Sequence, residues 1–348
     1  MRDNRLWYVL GFVAVVGCGI LLALGIGLAF WLRGGEVVAA PPSELFATLE
    51  AATPTIASAV PPAVPSPVSS EGPTGKISFT CQLFRVQASN QICLINADGT
   101  GWRRLTTDGG RQHVYSSVTL DGRSVVYSAF RKDNTYEIYE LDLTSGVVEQ
   151  LTDSQGVLNA AEVSPDGRLI VYTRGTPPSP GHALWIMNRD GSDPHAFFAP
   201  PGADAWDPTW SPDGTEVLFA SDMGGSAQLW TVSVEGGEPR QVSHLPALRG
   251  RSDWSVLNEI ITYSGEPWGR ELFLMSADGS NQRKISPPGG NSQGPSFSPD
   301  GKWVAFTAYF DRFKDDHGCE IYIMRTDGTD LRRLTNNDYC DYQPRWGP

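Results

Sequence analysis

The sequence is poor in what nucleic-acid binding requires. It holds 27 Lys and Arg against 39 Asp and Glu, for a net charge of −12. No basic cluster is available to displace counterions from a phosphate backbone, so no nucleic-acid partner is expected. Histidine is scarce, with five residues. Four of them (His113, His182, His244 and His317) fall in separate loop segments, and no pair has the local spacing of metal ligands, so no metal site is expected. Nothing in the chain spells a cofactor-binding or catalytic constellation. Cysteine is also scarce, at five. Long charged blocks are missing, and there is only one long apolar run.

That run is the clearest feature of the N-terminus. Residues 7–32, from Trp7 to Leu32, are 26 consecutive uncharged, mostly apolar residues. About 20 suffice to cross the hydrocarbon core, and a secretory h-region is shorter. Phe30-Trp31-Leu32-Arg33 is a poor cleavage site, so the sequence predicts an uncleaved transmembrane anchor. Trp7, Tyr8 and Trp31 sit where interfacial aromatics belong. Arg2 and Arg5 precede the span, which places residues 1–6 in the cytoplasm and the rest outside. Gly19, Ala23 and Gly27 repeat every fourth residue and offer a weak helix–helix contact for self-association. Residues 33–74 form a Pro/Ala/Ser-rich linker that cannot bury enough surface to fold alone, so a flexible tether is expected.

What remains, 75–348, is rich in glycine and proline and is repetitive. A turn phrase recurs as Leu120-Asp121-Gly122 and as Ser-Pro-Asp-Gly beginning at Ser164, Ser211 and Ser298. A second phrase, strand–turn–short strand, recurs six times, from "ICLINADGTGWRRLT" to "IYIMRTDGTDLRRLT". Asp121, Asp166 and Asp213 lie 45 and 47 residues apart, and Asp300 is two periods further on. Asp-Gly pairs between β-rich runs are hairpin turns, so each period holds four short strands, labelled A (inner) to D (outer). The fold expected is all-β, a six-bladed β-propeller. The last copy stops at "YQPRWGP" after its inner strand, and "GKISFT" at Gly75 to Thr80 continues the phrase. The ring is therefore expected to close by pairing N- and C-terminal strands.

These phrases and their spacing resemble the WD40-like propeller repeats of the TolB type, over about 75–348. Periplasmic TolB carries an additional N-terminal α/β domain where this chain has its linker, so the resemblance is to the propeller part only. Prolyl-oligopeptidase-like enzymes carry related propellers beside a hydrolase domain. Neither that domain nor its nucleophile elbow is expected here.

The turn aspartates (Asp98, Asp166, Asp213, Asp278, Asp300 and Asp327) read as turn formers. The opposite, loop face is where the repeats differ. Phe84, Arg85, Trp268, Arg270, Phe310, Arg312 and Phe313 are candidate binding residues there, because aromatic and Arg side chains on loops are the stock of protein-binding hot spots. Val118, Val163, Trp210, Trp254, Phe297 and Trp346 align as wedges between blades. One residue earlier on three inner strands come Glu162, Asp253 and Arg345, candidate channel residues that pair with one another or hold a small ligand. Cys18 lies in the span. The other four cysteines would meet an oxidising compartment, and of three connectivities the strand positions favour Cys81–Cys93 and Cys319–Cys340. The function expected is a non-catalytic binding or scaffold module for a protein or cell-envelope polymer. The alternatives are a saccharide-active hydrolase or lyase at the channel mouth and a purely structural domain.

Overall fold

A computed structural model describes residues 72–83, 90–108, 111–131, 135–154, 156–175, 181–267, 269–310 and 318–348. All of them fall in the unit Ser69–Pro348. The expected span 7–32, with Gly19, Ala23 and Gly27, and most of the linker lie outside the described residues. Among the described residues no helix is long and apolar enough to cross a membrane.

Among the described residues there are 24 strands and no helix. The first three are β1 (Lys76–Gln82), β2 (Asn90–Asn96) and β3 (Arg103–Arg104). There follow β4 (His113–Val118), β5 (Ser124–Phe130), β6 (Tyr136–Asp142) and β7 (Val148–Gln150). Next are β8 (Val157–Val163), β9 (Leu169–Gly175), β10 (His182–Asn188) and β11 (His195–Phe198). Then come β12 (Ala205–Trp210), β13 (Glu216–Ser221), β14 (Gln228–Ser233) and β15 (Arg240–Gln241). After these lie β16 (Asp253–Trp254), β17 (Glu259–Ser264), β18 (Glu271–Ser276) and β19 (Arg283–Lys284). The last are β20 (Asn291–Phe297), β21 (Trp303–Tyr309), β22 (Glu320–Arg325), β23 (Arg332–Arg333) and β24 (Asp341–Gly347).

Four sheets have four strands each, in the orders β24-β1-β2-β3, β12-β13-β14-β15, β16-β17-β18-β19 and β20-β21-β22-β23. The fifth has eight strands, β4–β7 and β8–β11, joined by one parallel pair, Tyr136 with Val157. The expectation of six separate blades is corrected at this point. The cause is local: the Tyr136 amide donates to the Gly156 carbonyl at 2.9 Å, which draws the start of β6 alongside the start of β8.

The recurring letters each have a physical role. In the Ser-Pro-Asp-Gly turns, the hydroxyls of Ser164, Ser211 and Ser298 donate to Asp166, Asp213 and Asp300 at 2.6–2.7 Å. Those aspartates also accept the amide two residues on, at 3.0–3.1 Å. The carboxylates are thus consumed in closing their own turns. The closing Ser or Thr of the second phrase has a different task. Strand D pairs over only two or three residues, so a strand C amide would be left without a partner. Thr106, Thr152, Ser243, Ser286 and Thr335 each accept that amide, at 2.7–3.0 Å.

The core is divided among six apolar clusters, each filling the space between two consecutive four-stranded units. One cluster joins Ile77, Phe79 and Trp346 to Trp303, Ile321 and Ile323, which makes the series circular. All six wedge positions are buried. The seam is closed as the sequence predicts. β24 pairs antiparallel with β1, Ile77 facing Trp346, and the Trp346 indole N–H donates to the Thr74 carbonyl at 2.8 Å. Gly75 has φ 93° and lies against the Gly347 carbonyl, where a Cβ would not fit.

Both disulfides form as predicted, with Cα–Cα distances of 5.8 Å for Cys81–Cys93 and 4.4 Å for Cys319–Cys340. The second lies next to a pair of buried carboxyls, Glu320 and Asp341. Burial first, and the neighbouring Glu320 second, push the Asp341 carboxyl up to about 7, against hydrogen bonds from Thr335 and Asn337. An acid raised on folding binds its proton more tightly in the folded state. Its contribution is therefore fully present below the ordinary value of 3.8 and is lost as pH rises towards 7. The slope is at most about 1.4 kcal/mol per pH unit. Asp341→Asn should melt above the parent at pH 8 and close to it at pH 4. Equal melting shifts at both pH values would remove Asp341 as the source.

Candidate binding site at the channel mouth

The inner strands of this ring are not regular. In five of them one extra residue is accommodated against the neighbouring strand, at Val114/Ser117, Asn159/Glu162, Trp206/Thr209, Gln293/Ser296 and opposite Ser78/Thr80. The sixth is more distorted: Leu248 bridges Ser264 and Asp253 pairs Ile261, so five residue steps match three. Each distortion carries a left-handed residue three positions before the wedge: Tyr115, Ala160, Asp207, Arg251, Gly294 and Gln343, with φ between 37° and 58°. Bulges re-aim side chains, and left-handed non-glycine residues hold strain of order 1 kcal/mol or more that the surrounding fold must offset. Here they turn one position of every inner strand towards the mouth of the channel.

The mouth is a cavity of about 470 Å³ to which every inner strand or its approach contributes. Its lining includes Tyr115, Asn159, Trp206 and Asp207, then Arg249 and Arg251, Gln293 and Gly294, Tyr342 and Gln343. Tyr263, Thr173 and Thr307 from the second strands, with His182 and Asp204, complete the wall. Neighbouring strands are stitched together around it. The Gln343 side-chain oxygen accepts from the Tyr115 amide at 3.2 Å and the Thr80 hydroxyl at 3.1 Å. The Asp207 carboxylate accepts the Arg251 amide at 3.0 Å, and the Asp207 amide donates to Thr173 at 3.0 Å.

Below the mouth lies the candidate channel triad. Arg345 reaches Glu162 at 3.3 Å and Asp253 at 3.4 Å, so the seam strand is tied to two non-adjacent inner strands. Thr209 donates to Glu162 at 3.0 Å, and Ser296 donates to Asp253 at 2.7 Å. Burial raises the Glu162 carboxyl above its ordinary value, against the pull of Arg345. Burial opposes the Arg345 charge, but Glu162, Asp253 and Asp207 together outweigh it and hold that guanidinium above its ordinary value. Of the two readings left open for the triad, the geometry is that of mutual pairing.

The loop-face candidates separate. Phe310 is fully buried, edge-on to Tyr322 with ring centroids 5.0 Å apart, and is not available to a partner. The correction has a simple cause: the Phe310 ring continues the apolar side of β21 and fills space above Gly290. Arg270 is half-buried, bonded to Gln293 and 5.9 Å over the Tyr263 ring, at the edge of the mouth. Phe84, Arg85, Trp268, Arg312 and Phe313 lie outside the described residues. The letters G-x-S-x-G do occur, at Gly290 to Gly294. All but Gly290 belong to strand β20, where Ser292 is fully buried, and they do not form the exposed strand-to-helix elbow that the chemistry needs. Among the described residues no group of His, Cys, Asp and Glu could hold a metal ion.

Gly250 tests how tightly the mouth is built. At φ 98° it faces Trp206 and Asp207, and a Cβ there would lie 2.5 Å from the Trp206 Nε1 and 2.7 Å from the Asp207 Oδ2. Gly250→Ala is expected to lower stability by about 2 kcal/mol or more, read by urea unfolding. An unchanged midpoint would show that the segment relaxes freely.

A closed ring of small antiparallel sheets, with its inner strands converging on a central channel, is a β-propeller. Residues 179–308 match the TolB beta propeller domain family. The Tol-Pal system protein TolB of Helicobacter hepaticus is 24% identical over 219 residues, covering 60% of this chain and 50% of that protein. An uncharacterized peptidase of Bacillus subtilis, YuxL, is 28% identical over 157 residues, covering 34% of this chain and 24% of the relative. Among solved structures, TolB from Acinetobacter baumannii superposes with a TM-score of 0.67 at 21% identity, covering 79% of this chain and 67% of that one. The chain spans half or less of the length of the curated relatives it matches.

Proposed function

We propose that this chain is a single-pass membrane protein with residues 1–6 in the cytoplasm, an anchor at 7–32, a tether at 33–74 and an extracytoplasmic propeller at 75–348. The eight-stranded sheet counts as two blades, which makes six, in keeping with six inter-sheet clusters and six left-handed inner-strand residues. The propeller acts as a binding module for a protein or an envelope polymer, and its loop face is the working surface.

The observation that carries this reading is the mouth itself. Strained bulges on the inner strands converge on one cavity walled by tyrosine, tryptophan and arginine, side chains that favour recognition over mere packing. The turn face, by contrast, uses its carboxylates to close its own turns. The likeness to a Tol-Pal system protein supports an envelope setting, as do two disulfides. The test uses tagged full-length chain, captured from cells beside the variants Arg270→Ala and Trp268→Ala. The reading requires a discrete partner whose recovery falls at least several-fold in the variants. Equal recovery from all three would remove the loop face as the working surface.

A further inference from the structure

The mouth cavity is set apart from an ordinary ligand pocket by what its wall lacks. Small-molecule pockets are lined mainly by aliphatic and aromatic side chains. Among the described residues no Ala, Val, Leu, Ile, Met or Phe lines this one. Its apolar surface comes from four rings that each carry a polar atom, those of Tyr115, Trp206, Tyr263 and Tyr342. Its two carboxylates, on Asp204 and Asp207, are matched by two guanidiniums, on Arg249 and Arg251, so neither sign of charge dominates. Asp204 accepts the His182 amide at 2.7 Å, Asp207 accepts the Arg251 amide at 3.0 Å, and Arg249 pairs with Glu266 at 3.0 Å. The Arg251 guanidinium lies 5.4 Å from the centroid of the Tyr115 ring. The neutral groups of the wall, by contrast, are unspent. Among the described residues none bonds the Tyr115 or Tyr263 hydroxyl, the Asn159 side-chain amide or the Trp206 indole N–H, and solvent reaches all four.

We propose that the channel mouth binds a neutral saccharide, a short stretch of a glycan held by the rings of Trp206 and Tyr263 and by the polar groups of Asn159 and Asp207. The inference rests on the reading of the mouth as a binding site and narrows its polymer to a neutral glycan. A sugar ring presents C–H groups on its faces and hydroxyls around its edge. The faces suit flat aromatic surface, and the hydroxyls suit neutral donors and acceptors set among the rings. The Asp207 charge, then burial, raises the Tyr115 phenol, and burial, then Asp207, raises that of Tyr263, so both remain hydroxyl donors at neutral pH. Burial raises the Asp207 carboxyl against the pull of Arg251. A ligand hydroxyl both donates and accepts, so it serves Asp207 in either protonation state. An ionic ligand gains little where carboxylates and guanidiniums stand together in equal number. A peptide anchored by an aliphatic side chain finds no aliphatic surface to cover it. The volume of about 470 Å³ lies within the range of small-molecule pockets.

The test titrates full-length chain, in a detergent without a sugar head group, with three neutral trisaccharides: maltotriose, cellotriose and triacetylchitotriose. Trigalacturonate is the acidic comparison and acetyl-Gly-Leu-Gly-amide the peptide comparison, and calorimetry is the readout. Saturable binding of at least one neutral trisaccharide, tighter than either comparison, supports the proposal. Asn159→Ala removes the free amide, and Tyr263→Phe removes a hydroxyl while keeping its ring. At least one of the two should weaken that binding about three- to tenfold, the loss of one hydrogen bond. The proposal is overturned if no neutral trisaccharide binds, if trigalacturonate or the peptide binds more tightly, or if both variants bind as the parent does. No sugar binding, with capture still reduced in Arg270→Ala, removes this inference alone. No sugar binding, with equal capture, removes the reading beneath it as well.

Discussion

Removing residues 338–348 is expected to abolish cooperative folding of the propeller. Those eleven residues include all of β24, so their loss bares the edge of β1 along its whole length. It also takes Trp346 from the cluster between the first and last sheets, and it takes the only cation within ion-pair reach of Glu162 and Asp253 among the described residues. Loss of a buried tryptophan costs about 3–5 kcal/mol, and breaking a buried ion pair costs a similar amount. Their sum, about 6–10 kcal/mol, is of the same order as the usual stability of a domain, about 5–15 kcal/mol. The bared edge also invites strand pairing between molecules. Circular dichroism melting combined with light scattering should show a broad, aggregating species in place of a single transition. A synthetic peptide of residues 338–348, added in excess, should restore part of the transition by occupying the vacant edge. A truncated chain that stays monomeric and melts like the parent would contradict a ring closed by β24.

Arg345→Met is expected to give the largest effect of any single substitution. The methionine keeps much of the side-chain volume but leaves Glu162 and Asp253 facing each other across the channel without a cation. The cost expected is about 3–5 kcal/mol. It should depend on pH with a definite sign. Unpaired buried carboxyls take up protons more readily when folded, so their penalty grows as pH rises and shrinks as they are protonated. The deficit relative to the parent should therefore be larger at pH 8 than at pH 5. The triple variant Arg345→Met, Glu162→Gln, Asp253→Asn should recover most of the loss. A pH-independent deficit, or no recovery in the triple variant, would mean that Arg345 acts through packing alone.

Much of the architecture was legible because the turn and strand letters repeat with a period. Asp-Gly turns mark the hairpins, and the wedge positions could be aligned on Trp210. The seam could be read because "GKISFT" completes the phrase that "YQPRWGP" begins. The disulfides followed from strand positions, since Cys93 replaces the aromatic that strand C carries elsewhere. The mouth was less legible, for a reason visible in its residues. Tyr115, Ala160, Asp207, Arg251, Gly294 and Gln343 share a backbone conformation and no side-chain chemistry, so no letter pattern announces them. Arg251 was further hidden because its repeat has lost the Ser-Pro-Asp-Gly turn and its inner strand has shrunk to Asp253–Trp254. Phe310 was misplaced because its loop is rich in aromatic and charged letters, while its own ring continues the buried face of β21. The joining of β4–β7 to β8–β11 in one sheet rests on one backbone pair, Tyr136 with Val157, which side-chain letters do not encode.

The central claim is that the mouth is the working surface of this ring. Site-specific photo-crosslinking in living cells tests it most directly, with the probe placed in turn at His182 and Arg249 on the mouth and at Asp98 and Asp278 on the turn face. Discrete crosslinked adducts from the mouth positions and none from the turn face are the result predicted. Adducts from the turn face alone, or equal labelling of both faces, would contradict it.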